Sequence, residues 1–263
     1  MLRRLTALFL ACFLLLSVPA ALADDLLDAV MKNGAVVIAT EGAWAPWTYH
    51  DFDTDELMGF DVEVARAIAA QLGVAADFRE CPWESIFMGI DSKMYDIAAN
   101  GVEITAERAE KYDFSLPYAY LRTALIVRAD NDGIQAFEDL SGKRTANSAG
   151  STYALTAEAY GAETVVVSTL AQTLDLVISG AADATLNAEL SFYDYMKEHP
   201  DAPLKIVALS AEASEVAIPV RKGAENASFL AALDAAIQQL RADGTLKGIS
   251  EKYFQTDITA INE

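Results

Sequence analysis

The chain reads as an α/β protein, and three observations say so. Short apolar runs of β character alternate with amphipathic helical stretches along almost its whole length. Its 263 residues are 53% apolar and 22% charged, with 14 glycines and 7 prolines, the composition of a folded globular chain. That length also suffices for two lobes of roughly 100–150 residues, each burying its own core.

The run Ala35-Val36-Val37-Ile38-Ala39 is a buried-strand signal. Phe60, Val64, Ala67, Ile68 and Leu72 then recur at helical spacing and Gly73 stops the pattern, which predicts a helix over 60–72. Residues 76–79 read as strand, 83–92 as helix and 96–99 as strand. The second half repeats the rhythm, with strands over 124–127, 144–146, 165–167 and 184–186 and helices near 152–159, 171–179 and 188–197. Amphipathic helices over 229–240 and 246–254 close the pattern. Such alternation layers helices on mainly parallel sheets.

Residues 1–23 set the expected compartment. Arg3 and Arg4 form a positive leader, residues 8–18 a short apolar run, and Ala21-Leu22-Ala23 a small-x-small cleavage site. The run is about half of the ~20 residues that a spanning helix needs, and Pro19 follows it, so a cleaved signal peptide is expected rather than an anchor. No later apolar run approaches spanning length. Cys12 falls inside the leader, so cleavage leaves Cys81 alone and no intramolecular disulfide. These features predict a soluble product in a bacterial periplasm.

Lys and Arg total 19 against 39 Asp and Glu, a net charge of −20. The leader carries two Arg and no acid, so its removal leaves 17 against 39, or −22. A polyanion meets a repulsive field, and no basic stripe interleaved with aromatics reverses it, so nucleic acid is not expected as a partner. Solubility is the ordinary meaning of such a balance.

The common catalytic signatures are missing. The two histidines, His50 and His199, sit in polar surroundings far apart, without a second His or Cys at ligand spacing, and read as exposed loop residues rather than a metal site. Gly-x-Ser-x-Gly, P-loop and Gly-x-Gly-x-x-Gly patterns do not occur. Cys81 has no neighbouring His or cation to lower its pKa and reads as a small core hydrophobe. No metal and no cofactor are expected.

The informative stretch is Asn100-Gly101-Val102-Glu103-Ile104-Thr105-Ala106-Glu107-Arg108, followed by Tyr112-Asp113-Phe114-Ser115-Leu116-Pro117-Tyr118. It follows the strand predicted at 96–99, where open α/β sheets carry their binding loops. Gly101 permits close approach of a ligand to backbone N–H groups, and Arg108 can aim a planar fork at a carboxylate. A surface ion pair from Arg108 to Glu107 or Glu110 accounts for the spacing equally well.

Together with Gly59-Phe60-Asp61-Val62, the Ile104-Thr105-Ala106-Glu107-Arg108 and Asp113-Phe114-Ser115-Leu116-Pro117-Tyr118 motifs resemble the signature of periplasmic polar amino-acid-binding proteins, solute-binding family 3 of ABC importers. The resemblance runs from Gly34 to Phe254, and Asp183-Ala184-Thr185-Leu186-Asn187 is similar to the cystine-binding branch. It implies a two-lobed periplasmic-binding-protein fold of type II. Each lobe would be a mainly parallel sheet flanked by helices, and two hinge strands would join them. Residues 24–119 and 216–263 would form the first lobe, discontinuous because the chain crosses twice, and residues 120–215 the second. Crossings are expected near residues 120–123 and 215–219, with ligand sealed in by hinge closure.

The resemblance further implies that Arg108 pairs the α-carboxylate of a small polar amino acid, assisted by the N–H groups of Gly101 and Glu103. Gly150-Ser151-Thr152 matches a motif supplying further donors; independently, a predicted helix opens there, whose N-terminus attracts anions, although a plain helix cap explains the hydroxyls as well. Trp44 matches the aromatic that covers the ligand side chain, Trp83 would supply another wall, and Trp47 reads as core. Glu41 aligns with an acidic position facing polar ligand side chains, so an amino or guanidino group is its expected contact. One departure stands out: the family usually has Asp after the position of Asn187 to pair the ligand ammonium, and this chain has Ala188. Asn187 and Asn100 offer carbonyl acceptors, and Glu103 and Glu189 are competing candidates for the missing charge.

The function implied is capture of a polar amino acid, with cystine favoured, by a monomer that delivers it to an inner-membrane ABC permease. No bond is made or broken. The alternatives are a cyclohexadienyl or arogenate dehydratase on the same fold, with Glu189 or Glu103 as a protonated pocket acid, and a ligand-sensing module.

Overall fold

A computed structural model describes residues 25–260 of the chain. The signal-peptide expectation for residues 1–23 lies outside the described residues. Asp25 caps the first helix, α1 (Leu26–Asn33), by accepting Leu27 N–H at 2.8 Å, and Gly34 in the left-handed region ends it. Strand β1 (Ala35–Thr40) is followed by a small antiparallel meander of β2 (Ala43–Trp44), β3 (Thr48–His50) and β4 (Leu57–Met58). Helix α2 (Phe60–Leu72) buries Phe60, Val64, Ala65 and Ile68, which lie three and four apart on one stripe. Strand β5 (Ala75–Glu80), α3 (Trp83–Asp91) and β6 (Ile97–Ala98) complete a layer of helix on sheet. The sheet order is β5-β1-β6, all parallel, so central β1 is covered on both faces and its apolar run needs no polar alternation.

The chain then forms α4 (Ala106–Lys111), β7 (Tyr112–Phe114), β8 (Ala119–Leu121) and β9 (Thr123–Arg128). Strand β10 (Arg144–Asn147), α5 (Thr152–Ala159), β11 (Glu163–Val166) and α6 (Leu170–Ser179) make two strand–helix units in which β10 and β11 are parallel. Strand β12 (Thr185–Ala188), α7 (Glu189–Glu198) and β13 (Leu204–Leu209) follow; β12 and β13 flank β9 and run antiparallel to it. A parallel bridge from Thr145 to Ala184 joins the two groups of strands, giving a second layer in which β9 alone runs against the others, mainly parallel as the alternation implied. Direction is set by the connections: β9 reaches β10 through 15 residues with only a 3₁₀ turn, and β12 reaches β13 through α7.

Strands β14 (Ser214–Val216) and β15 (Pro219–Arg221) lead to α8 (Ala227–Ala242) and α9 (Thr245–Phe254). β14 pairs antiparallel with β8, and β15 with β7, so the outgoing and returning chain run side by side. α8 packs on α1 and α2, and α9 on α2. The apolar core there includes Trp47, Phe60, Tyr118, Phe229 and Phe254. Burying a side chain such as Phe60 or Phe229, each 0% exposed, stabilises the fold by about 2–3 kcal/mol.

The sequence left α1, the β2–β4 meander, α4 and strands β7 and β13 unassigned, whereas β8, β14 and β15 fall at or beside the two stretches, 120–123 and 215–219, read as extended. The unassigned elements are two to eight residues long and too brief for periodicity to register. His50 is not an exposed loop residue: it is half-buried on β3, between Asp55 O and Glu80 Oε2, each at 2.9 Å. His199 is exposed at the end of α7. Cys81 is half-buried against the cluster of Trp83, Ile86 and Tyr95. Among the described residues no helix is long and apolar enough to cross a membrane.

Candidate functional site

Parallel strands end together, and their carboxyl ends put side chains in one place. Glu41 follows β1, Trp83 opens α3 after β5, and Asn100 follows β6. Across from them, Asn147 ends β10, Ser168 follows β11 just ahead of α6, and Asn187 lies near the end of β12. These residues line one cleft that encloses about 540 Å³, part of it continuous with solvent.

On the first wall, Glu41 and Asn100 hold each other. Asn100 Nδ2 donates to Glu41 Oε2 at 2.6 Å, and Asn100 Oδ1 accepts Glu41 N–H at 2.8 Å. Burial, opposed by the Asn100 bond and assisted by nearby Glu84, pushes the Glu41 carboxyl up to about 7. Trp44 stacks on Trp47 with centroids 5.2 Å apart, and Trp47, 0% exposed, is core as its sequence context implied. Trp44 Nε1 donates to Asn187 Oδ1 at 3.0 Å and Trp47 Nε1 to Ser191 Oγ at 3.0 Å, so both indoles reach the opposite wall.

Gly101 is glycine of necessity. Its φ is +56°, and a Cβ there would meet the Trp44 ring at 2.4 Å. The expectation that its N–H serves a ligand is corrected: that N–H donates to Asp61 Oδ2. Asp61 is fully buried at the start of α2 with no cation paired to it among the described residues, accepts Tyr118 Oη–H at 2.7 Å, and is pushed by burial up to about 7. Two inward donors are the compensation such a carboxylate needs, and Gly101 supplies one. The Glu103 N–H, by contrast, has no acceptor among the described residues: its bridge to Val216 is made by the flanking Ile104 N–H and Val102 O.

Arg108 lies on α4, whose cap Thr105 accepts Arg108 N–H at 3.1 Å. Its side chain turns inward and is 8% exposed, so the surface ion pair that its spacing allowed is not formed; Glu107 pairs with Lys111 instead. The guanidinium donates to Glu103 O at 2.9 Å and to Gly150 O at 3.4 Å, and it stacks 5.2 Å from the Trp83 ring. Burial lowers its pKa and nearby Glu103 opposes that shift. Only two of its five N–H donors are spent on these carbonyls.

Facing it, Ser151 caps α5 by accepting Ala154 N–H at 3.1 Å, and Thr152 Oγ1 donates to the Glu103 carboxylate. The Thr152 and Tyr153 N–H groups in the first turn meet no acceptor among the described residues. Tyr153 Oη and Asn147 Oδ1 are buried without partners. A guanidinium with spare donors beside an open helix N-terminus is chemistry that holds a carboxylate. Among the described residues no cluster of three His, Cys, Asp or Glu is arranged for a metal.

The structure thus brings Glu41, Trp44, Trp83, Asn100, Gly101, Glu103, Ser151, Thr152 and Asn187 to one cleft, with Arg108 bordering it behind Glu103 and Gly150. Glu189 does not join them. It starts α7 one position past Ala188, and its carboxylate sits beside Tyr193, one turn along. The sequence missed Asn147, Ser148, Tyr153, Ser168, Leu170 and Thr173. The usable signal was positional, since most of these follow β10 or β11 at its carboxyl end.

Residues 36–256 match the model of bacterial extracellular solute-binding proteins, family 3. A probable amino-acid ABC transporter-binding protein of Haemophilus influenzae is 38% identical over 237 residues, 90% of this chain and 91% of that protein. The crystal structure of the L-cystine solute receptor of Neisseria gonorrhoeae in the unliganded open conformation is 40% identical, covers 89% of this chain and 99% of its own, and superposes with a TM-score of 0.59. An ancestral arginine-binding protein bound to arginine is 32% identical, covers 84% and 98%, and superposes better, at 0.78. Fold, cleft and sequence agree, and the chain belongs to the bacterial extracellular solute-binding proteins of family 3.

Proposed function

We propose that this protein captures a polar amino acid, with an L-cystine-like compound favoured, and delivers it to an ABC permease. The observation that carries the reading is the buried Arg108 guanidinium between Glu103 O and Gly150 O, beside the open N-terminus of α5. Its spare donors, with the Glu103, Thr152 and Tyr153 N–H groups, suit an α-carboxylate. The Glu103 carboxylate and the unpartnered Tyr153 hydroxyl are acceptors for the ammonium in place of the absent acid at Ala188. The relatives supply the ligand class: one is described as amino-acid binding, another as an L-cystine receptor.

Closure is part of the proposal. Residues 24–119 with 216–263 act as one lobe and 120–215 as the other, hinged where β8 pairs β14. Support comes from the pairs that meet across the cleft, Trp44–Asn187, Trp47–Ser191 and Glu103–Thr152. The chain also superposes better on the arginine-bound structure than on the open one, although its identity to the open one is higher. The dehydratase alternative is not favoured by relatives of this kind, and the Glu103 carboxylate is held by a threonine hydroxyl rather than in apolar surroundings.

A thermal-shift screen of the mature protein against the amino acids, L-cystine and prephenate tests the reading. An amino acid at 100 times its Kd stabilises the protein by about 2.7 kcal/mol. Arg108→Ala and Arg108→Lys are expected to abolish or strongly weaken the response while circular dichroism stays unchanged. A response independent of Arg108, or turnover of prephenate, would overturn it.

A further inference from the structure

Of the three pairs of side chains that meet across the cleft, two are made by residues that line it: Trp44 with Asn187, and Glu103 with Thr152. The third is set apart. Trp47 Nε1 donates to Ser191 Oγ at 3.0 Å, both residues are 0% exposed, and neither lines the cleft. Both partners are the protein's own, so the strength of this bond does not depend on what the cleft holds.

Each end is fixed on its own side. Trp47 packs edge-on against Phe60 with centroids 5.5 Å apart and against Phe254 at 5.0 Å, and its carbonyl accepts Asp61 N–H at 2.9 Å, so the indole is held by the core around α2 and α9. Ser191 is the third residue of α7, in the turn that follows β12. A side chain that places its hydroxyl by one torsion has no reach to follow Trp47 across a widening gap. The bond therefore lasts only while the two sides are together. Separation returns donor and acceptor to water, so the bond changes the ratio of closed to open forms by the net worth of one neutral hydrogen bond, about twofold to tenfold.

We infer that Ser191 is a positioning residue that never meets the ligand: by latching Trp47 it sets how much of the free protein is closed, and so scales the affinity for every ligand by one factor. The inference rests on the two-lobed closure proposed above and adds what regulates it. A ligand that binds only the closed form shows an apparent Kd equal to its intrinsic Kd divided by the closed fraction. Residues lining the cleft alter the intrinsic constant, and alter it differently for each ligand. Ser191 alters the fraction alone. Selectivity is thus set inside the cleft, whereas part of the overall affinity is set outside it.

Single-molecule energy transfer between dyes on the two lobes of the mature protein measures the closed fraction, and calorimetry with L-cystine, S-methyl-L-cysteine, L-arginine and L-glutamine measures Kd. In Ser191→Ala the closed-to-open ratio of the free protein is expected to fall about twofold to tenfold, while Kd multiplied by closed fraction keeps its wild-type value for each ligand that binds. Trp47→Phe keeps a ring in the core and removes the donor; it is expected to lower the ratio by a like factor, and the double variant to lose nothing further, which reads the latch even where one variant melts earlier. A merely structural role for Ser191 would lower the melting temperature and leave the ratio alone. An unaltered ratio in Ser191→Ala, or Kd values that shift by different factors for different ligands, overturns the latch and leaves the Arg108 reading standing. One transfer efficiency with and without ligand overturns closure and the latch together. Should none of the four amino acids bind, the capture reading falls while the ratio in the free protein still decides the latch.

Discussion

Trp44 gives its indole N–H to Asn187 Oδ1 at 3.0 Å, a bond between residues 143 positions apart that ties β2 to the end of β12. Asn187 Oδ1 also accepts Ala188 N–H at 2.9 Å, so the acceptor is fixed by its own backbone before Trp44 arrives. The bond therefore spans the two walls of the cleft rather than belonging to either alone, and the closure proposed above can be probed by deleting one hydrogen.

Trp44→Phe keeps an aromatic ring against Trp47 and removes the donor. Affinity for the responding amino acid is expected to fall about fivefold to tenfold, with little change in the melting temperature of the free protein. Calorimetry beside a melting curve checks it. An unchanged affinity would mean that the indole bond is not part of ligand-bound closure.

Much of this arrangement was legible in the sequence because strand ends carry it. The alternation of apolar runs gave the elements that aim Glu41, Trp83 and Asn100, and the Arg108 motif gave its family. Two things were not legible. Gly101 looked like a ligand donor, yet its N–H is claimed by Asp61, 40 residues earlier, because an acid buried at the start of α2 has to find a partner. Glu189 looked equivalent to Glu103, yet one step along a helix turns a side chain by about 100° and takes it out of the wall. Local pattern holds no record of either long-range demand.

Gly101→Ala tests the close approach. The left-handed backbone costs a non-glycine residue roughly 1–2 kcal/mol, and the added carbon would meet the Trp44 ring at 2.4 Å. The variant is expected to be destabilised by about 1–3 kcal/mol and to bind poorly because Trp44 is displaced. Urea unfolding measures the first effect and calorimetry the second.

Asp61 makes stability depend on pH. Its carboxyl is raised from 3.8 to about 7 by burial, so between those values the folded protein holds a proton that the unfolded chain releases. The stability this gives is fully present below about pH 4 and is lost as pH rises through about 7. Glu41, also raised to about 7, adds a contribution of the same sign. Asp61→Asn, which can still accept from Gly101 and donate to Tyr118, is expected to flatten the slope between pH 4 and 7 by an amount on the order of a few kcal/mol. Glu41→Gln removes the smaller remainder. Urea midpoints across that range check both, and a slope unaltered by Asp61→Asn would show that another group sets it.

The sharpest contrast lies between the two acids that could replace the carboxylate missing at Ala188. Glu103 lines the cleft, its carboxylate fixed by Thr152 Oγ1 and its backbone carbonyl held by Arg108, so its charge stands beside the place proposed for the α-carboxylate. Glu189 sits outside the wall beside Tyr193. An ammonium buried against a neutral amide has lost its counter-charge, a loss that in buried pairs runs to about 3–5 kcal/mol. Glu103→Gln is therefore expected to weaken every α-amino acid about a hundredfold or more, and Glu189→Gln to change nothing. A merely structural role for Glu103 would weaken all ligands alike. The α-hydroxy analogue of the responding amino acid, which has the carboxylate and no ammonium, should instead bind wild type and Glu103→Gln with similar affinity. Calorimetry with the two ligands on the two variants separates the cases, and an effect of Glu189→Gln larger than that of Glu103→Gln would reverse the assignment.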